Sequence, residues 1–241
     1  MSDGKKFHVA RHNERELFDR DAINCLLDNQ YVAHAGFIDQ DNQLPFVIPM
    51  GFARDNDRIL LHGSTGSRMM RQIAQGIDLC VTVTKLNAIV VARSSFNSSM
   101  NYESVMIFGV ARVLEESEKD LALERITEKL VPGLWNYGRP LVSKEIAATM
   151  IVELSLDKVS AKSRTGDPSD DEEDLALPIW AGILPIETKL GAPITAANAA
   201  GIAVPSHIAN SLATSAASAN STMSLRVRSL ASASIASCVI T

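Results

Sequence analysis

The sequence predicts a mainly β protein with peripheral helices, built on about six antiparallel strands. Three observations carry this reading. Apolar segments rich in valine and isoleucine succeed one another along the first two thirds of the chain. The turns between the early ones, QDNQ and DNDR, are too short for the crossover that a parallel pair needs. Only two or three helical stretches interrupt the series, about the number expected around an antiparallel barrel and too few for a doubly wound sheet.

The elements follow in order. Segment 14–29 has Leu17, Ile23, Leu26 and Leu27 at helical spacing. Segments 31–39, 44–54 and 58–63 read as strands. Pro45 and Pro49 mark the second as an edge, a bulge or a place where backbone donors are not wanted. A short helix over 67–76 begins at Ser67, which suits an N-cap, and ends at Gly76. Segments 78–95 and 102–116 are strands, and 117–131 is a helix with a capping box at Ser117 and Asp120. A small helix near 143–149 precedes the last strand, 150–164.

The chain has 241 residues and a formal charge of -5. That is enough material for a substantial core. Mild acidity without a Lys/Arg cluster excludes a broad nucleic-acid footprint. No window of about 18 apolar residues occurs, so no membrane span is expected. The polar N-terminus gives no sign of a signal peptide. Cys25 and Cys80 sit in apolar segments and read as small buried residues, with Cys238 far away. A reducing cytoplasm fits this cysteine usage. Beyond Trp180 there is no Phe, Tyr or Trp. Residues 211–241 are dominated by Ser and Ala, and such a segment buries too little to offset its ordering entropy. The reading is one domain over 1–210 and a disordered tail over 211–241.

Familiar catalytic motifs are missing. There is no G-x-G-x-x-G, no complete P-loop, no H-E-x-x-H, no C-x-x-C pair and no G-x-S-x-G elbow. The five histidines are scattered, so no metal cage is expected. What stands out is 60-LLHGSTGSRMMRQI-73. A strand ends at His62, small and hydroxylated residues follow, and Arg68 opens a helix. Backbone N–H groups, the hydroxyls of Ser64, Thr65 and Ser67, and the Arg68 fork are the parts of an anion site. The same spacing also describes an N-cap with a surface arginine. Two further segments are polar. Segment 93–105 is a hydroxyl-rich connection that could bring Arg93, Ser94 or Ser104 to the same anion. Segment 159–182 sets Lys162 and Arg164 beside an acidic run, whose carboxylates read as a solvated loop serving solubility or interdomain contacts.

Taken together, HGSTGSRMMRQI, ARSSFNSSMNYESVMIFGVARV and SAKSRTGDPSDDEEDLALPIWAGILPI resemble the flavin-nucleotide-binding branch of the pyridoxamine 5'-phosphate oxidase-like superfamily. The likeness runs from about residue 8 to about residue 208. It implies a six-stranded antiparallel split β-barrel, a homodimer, and FMN held at the subunit interface. By this resemblance Ser67 and Arg68 clasp the FMN phosphate, with Met69 where many relatives have lysine and Lys162 or Arg164 as substitute charges. His62, Gly63 and Ser64 lie beside the phosphate and ribityl chain, Ile48, Pro49 and Met50 face the isoalloxazine edge, and Ser104 reaches the phosphate. Asn97, Ser98 and Glu103 depart from the family pattern, so vitamin B6 oxidation is not expected. The implied function is an FMN-dependent oxidoreductase acting on a small-molecule redox substrate. His62 is the candidate acid or base. The alternatives are a flavin carrier or sensor without turnover, or a split barrel holding deazaflavin or haem, the last with His34, His62 or His207 as axial ligand.

Overall fold

The computed structural model describes residues 15, 16 and 19–211. Leu17, Cys238 and all of the predicted tail except Ser211 lie outside them. The chain divides into two compact units: Met1–Leu130 with Gly138–Ile186, and Val131–Tyr137 with Glu187–Thr241.

The first unit holds the sheet. Nine strands are present among the described residues, not six. They are β1 (Val32–Ile38), β2 (Pro45–Asp55), β3 (Arg58–Ser64), β4 (Asp78–Val91), β5 (Ser99–Val110), β6 (Arg112–Val113), β7 (Thr149–Ser155), β8 (Val159–Arg164) and β9 (Gly182–Pro185). Two predicted strands are broken in two. The segment at 102–116 pauses at Ala111, and the one at 150–164 turns at 156–158, where the Ser155 hydroxyl accepts the N–H of Asp157 at 3.1 Å. β9 pairs with β4 and carried no signal in the sequence beyond a short apolar run.

Every strand pairing among the described residues is antiparallel, and the order is β6-β7-β3-β2-β1-β4-β5-β8. β7 and β8 stand near opposite margins of this order, yet three residues, 156–158, join them. So short a link spans roughly 14 Å at most, so the sheet must curl until its margins approach. The turn ties the closure: Leu156 N–H donates to Asp57 O at 2.8 Å and Phe108 N–H donates to Lys158 O at 2.9 Å.

Period-two alternation then fills the barrel. Ala33, Ala35 and Phe37 point inward opposite Met50, Ile48 and Phe46, and Val81, Val83, Val105, Ile107 and Ala161 complete the core. Two helices add to the same core. They are α1 (Arg20–Asn29), through Ile23, Leu26 and Leu27, and α2 (Arg68–Ala74), through Met69, Met70 and Ile73. Each fully buried Leu or Ile here stabilises by about 1.5–3 kcal/mol. α3 (Glu116–Leu130) packs Ala122 and Ile126 on the other face, against Ala53, Leu60 and Ile151. The first unit also contains α5 (Ser143–Ala148), and the second contains α4 (Leu134–Tyr137).

Three local expectations are corrected. α1 starts at Arg20 because Asp19 caps it, accepting the N–H of Asp21. Cys25 is exposed, because the inner stripe of α1 runs through Ile23, Leu26 and Leu27 and leaves position 25 outside it; Cys80 is half-buried. α3 starts at Glu116, so Ser117 is no cap. The Glu118 carboxylate instead accepts the N–H of Glu115 at 2.8 Å and pairs with Arg112.

Candidate functional site

The prolines of β2 find their explanation in the register. β2 pairs with β1 from Pro45 to Gly51, but with β3 only from Phe52 to Asp55. Before Phe52 the strands β2 and β3 part, and β3 continues from His62 to Ser64 paired with β7 alone. The sheet is split there. Pro45 and Pro49 lie on the margin that β3 has left, where fewer backbone donors are required. His62, Gly63 and Ser64 form the opposite margin. Two groups of predicted site residues, 48–50 and 62–64, thus line the two lips of one split. Their side chains divide between faces: Ile48 and Met50 pack against the core, and Pro49 shares the outer face with His34, its register partner.

The loop from β3 to α2 is built by its own hydroxyls. Ser64 Oγ accepts the N–H of Gly66 at 3.2 Å, and Ser67 Oγ accepts that of Met70 at 3.5 Å. Ser67 N–H donates to Ser64 O, and Thr65 N–H to Ala148 O. In both serines the oxygen serves the loop while the hydroxyl proton can still donate outward. Gly63 has a packing reason: a Cβ there would stand 2.8 Å from Met70 Cγ. Met69 is buried in the core and does not present itself to a ligand.

Arg68 is half exposed, and it is not loose. Its Nε lies 3.1 Å from Oδ2 of Asp39, a carboxylate with no exposed surface, and its guanidinium carbon sits 5.2 Å over the Phe46 ring. His62 is half-buried; burial lowers its pKa, which favours the neutral imidazole, and its Nδ1 is buried without a hydrogen-bond partner.

The remaining candidates stand elsewhere. Ser104 pairs with Thr84 and Lys162 in register, on the outer face, with 3.1 Å between the Ser104 and Thr84 hydroxyls. Arg164 donates to Asn101 Oδ1 at 2.6 Å; burial lowers its pKa, and the charge of Arg15 adds to that. Between β3 and β5 lie β2, β1 and β4. Those four steps amount to about 20 Å around the sheet. Ser104 and Lys162 are therefore not neighbours of Arg68 along the sheet order. Arg93 is held by Asp170, and Ser94 Oγ accepts the N–H of Phe96, so both serve the 92–98 loop. The acidic run is corrected at one position: Asp170 is an internal, buried anchor, not a solvated charge. Among the described residues no group of His, Cys, Asp and Glu is placed to hold a metal ion, and no helix is long and apolar enough to cross a membrane.

Residues 19–163 match the family described as Pyridoxamine 5'-phosphate oxidase. The chain belongs to this family. Its split β-barrel is matched by the flavocytochrome Anf3 from Azotobacter vinelandii, with 37% identity, 87% of this chain and 96% of that one covered, and a TM-score of 0.80. A second member of comparable likeness is the FAD and haem binding protein from Mycobacterium smegmatis, with 36% identity, 82% and 97% covered, and a TM-score of 0.79. The conserved hypothetical protein Rv2991 from Mycobacterium tuberculosis shares the fold at 12% identity, 69% and 92% covered, and a TM-score of 0.50. No curated protein matches the sequence.

Proposed function

We propose that this family member is a flavin-binding redox protein that carries a haem as its second cofactor, with FAD rather than FMN as the flavin. The observation that carries this reading is the likeness, over more than four fifths of the chain, to one flavocytochrome and one FAD and haem binding protein. At 36–37% identity that likeness reaches beyond the fold. It supports haem among the alternatives and favours FAD over FMN as the flavin. Bound flavin and haem would supply the electron transfer; the chain supplies binding, orientation and electrostatics.

The residues present fit such groups. A flavin phosphate needs donors that are not already consumed, and the protons of Ser64 and Ser67 and the outer edge of Arg68 meet that need. A haem iron takes a neutral imidazole whose nitrogen has no competing hydrogen bond. Two histidines offer a buried ring nitrogen without a partner: His62 at Nδ1 and His207 at Nε2. His207 belongs to the second unit, where its ring centroid lies 4.9 Å from that of Tyr137. Gly133, at φ +86°, permits the approach, since a Cβ there would meet the His207 ring within 3.2 Å. His34 is exposed on the outer face of β1 and is the weakest fit.

The working form is a homodimer in this reading. Ser104 and Lys162 would then meet a flavin phosphate held by Arg68 of the other copy. The outer face of β1, β2, β4 and β5 supplies an apolar surface for it, including Val32, Val47 and Met106.

Absorption spectroscopy and mass analysis of the purified chain test the proposal. A flavin band together with a Soret band is expected, and the released flavin should have the mass of FAD. His62→Ala and His207→Ala are compared, and the ligand is the one whose loss removes the Soret band. A colourless protein that takes up neither added flavin nor added haemin overturns the proposal.

A further inference from the structure

We propose that Asp39 is a positioning residue for Arg68: it fixes the guanidinium so that the outer fork is presented to the flavin phosphate. This rests on the flavin-phosphate reading above and assigns a role to a residue that does not itself touch the cofactor.

Asp39 closes β1 with no exposed surface. One carboxylate oxygen, Oδ1, accepts the backbone N–H of Asp41 at 3.0 Å and of Asn42 at 3.2 Å. These bonds fix the turn and with it the direction of the carboxylate. The other oxygen, Oδ2, is buried and has no hydrogen-bond partner; its contact is the ion pair with Arg68 Nε at 3.1 Å. A buried carboxylate without a cation is strongly unfavourable, so Asp39 holds the Nε edge of Arg68 to itself.

The guanidinium is fixed in a second direction. It lies over the Phe46 ring, and Phe46 stacks on Phe37 with 5.8 Å between centroids. The platform is bolted to α2 as well. Gln72, one helical turn beyond Arg68 and buried, accepts the N–H of Gln40 through Oε1 at 3.2 Å and donates from Nε2 to Asp41 at 3.4 Å. Turn, ring and helix thus move together. What remains of Arg68 is the pair of terminal nitrogens on a side chain that is 48% exposed. A planar fork held at its inner edge is a ready donor pair for a phosphate. An arginine already ordered loses less rotamer freedom when the anion arrives.

The test titrates the full chain, freed of cofactor, with FMN, which carries the ribityl phosphate it shares with FAD, and with riboflavin, which lacks the phosphate. Asp39→Asn keeps an oxygen for the two turn amides and sets an amide against Nε. It should lower FMN affinity about five- to tenfold and leave riboflavin affinity unchanged. Arg68→Ala should lower FMN affinity selectively, and adding Asp39→Asn to it should change nothing further. An Asp39→Asn chain that loses FMN and riboflavin equally, or keeps the wild-type ratio while Arg68→Ala loses it, overturns the positioning role and leaves the phosphate reading standing. An unchanged ratio in Arg68→Ala overturns the phosphate reading and the proposal with it. If Asp39→Asn does not fold, Phe46→Leu serves: it removes the ring, and the ratio should fall about threefold. A wild-type ratio in Phe46→Leu overturns the proposal.

Discussion

Asp170 accepts both the backbone N–H and the Nη1 of Arg93, each at 2.7 Å. Seventy-seven residues separate the two in sequence. The carboxylate is almost fully buried, and the Arg93 Nε is buried without a partner of its own. Asp171 adds a bond from Asn97 Nδ2 at 3.2 Å. The acidic loop is therefore the clasp of the β4–β5 connection.

Removing that clasp leaves a partly buried cation unpaired. Asp170→Ala is expected to destabilise the protein by about 2–4 kcal/mol, somewhat less than for a pair buried on both sides. Asp167→Ala, on the same loop and exposed, should change stability by less than about 0.5 kcal/mol. Denaturant unfolding of both variants checks this. Equal stabilities would mean that the loop is solvated as the sequence suggested.

Gly63 and Met70 make a second close pair. Gly63→Ala would place a methyl 2.8 Å from Met70 Cγ, and Met70 is almost fully buried. The expected cost is about 1–3 kcal/mol of overpacking. Because the two sites share one contact, the double variant Gly63→Ala with Met70→Ala should be more stable than the sum of the single effects implies. Thermal unfolding of the four chains in a double-mutant cycle measures the coupling. Strict additivity would contradict the contact.

How much of this could be read beforehand depends on range. The strands and α2 follow from period and caps, which are local, and the resemblance drew its motifs from contiguous stretches. The split between β2 and β3 was foreshadowed only by Pro45 and Pro49, which told that backbone donors were unwanted but not where the neighbouring strand ended. Asp39 and Asp170 were illegible for a different reason. Each sits in a polar turn of ordinary composition, and each finds its arginine through tertiary folding. Nothing in DQDNQ or DPSDDEED distinguishes the carboxylate that will be buried from those that stay wet. The break at 156–158 was missed because LDK carries neither Gly nor Pro.

The Lys129 ammonium joins α3 to the end of α1. It donates to Leu27 O at 2.8 Å and to Asp28 O, and it lies 5.9 Å from the Tyr31 centroid and 5.5 Å from that of Phe52. Burial is the leading cause that lowers its pKa from 10.5 to about 8. A lysine with a lowered folded pKa binds fewer protons in the folded than in the unfolded state. Stability therefore rises with pH between about 8 and 10.5. The difference in unfolding free energy between the wild type and Lys129→Met should grow through that window and be flat below it. A flat difference throughout would show that the ammonium is not desolvated.

Glu118 and Glu153 titrate in the opposite sense. Both pair with Arg112, and hydrogen bonds from it are the leading cause that lowers each pKa, Glu118 from 4.5 to about 2. Arg58 adds a second partner to Glu153 and also binds Asp55. A carboxylate with a lowered folded pKa contributes stability that is present above 4.5 and lost as pH falls toward 2. Arg112→Gln should flatten the acid limb of the stability profile in that range, its destabilisation being present near neutral pH, modest because the pair is exposed, and fading as pH falls toward 2. An unaltered acid limb would place the acid sensitivity elsewhere.

The outer sheet face bears on the proposed homodimer. In register, Val47 sits beside Gly36, Gly36 beside Cys80 and Cys80 beside Phe108; one step along, Pro49, His34, Thr82 and Met106 form a parallel row. Val47 is 66% exposed, and among the described residues nothing covers it. An apolar face of this continuity is expected to be buried in an assembly. The wild type is expected to elute from a sizing column as a dimer and the double variant Val47→Glu with Met106→Glu as a monomer. Neither side chain belongs to the buried core, so the monomer should keep a wild-type far-UV spectrum. It should also bind flavin more weakly, because in the proposed dimer Ser104 and Lys162 of the second copy would no longer reach the phosphate. A variant that stays dimeric, or a monomer that holds flavin as tightly as the wild type, would place the cofactor within a single chain.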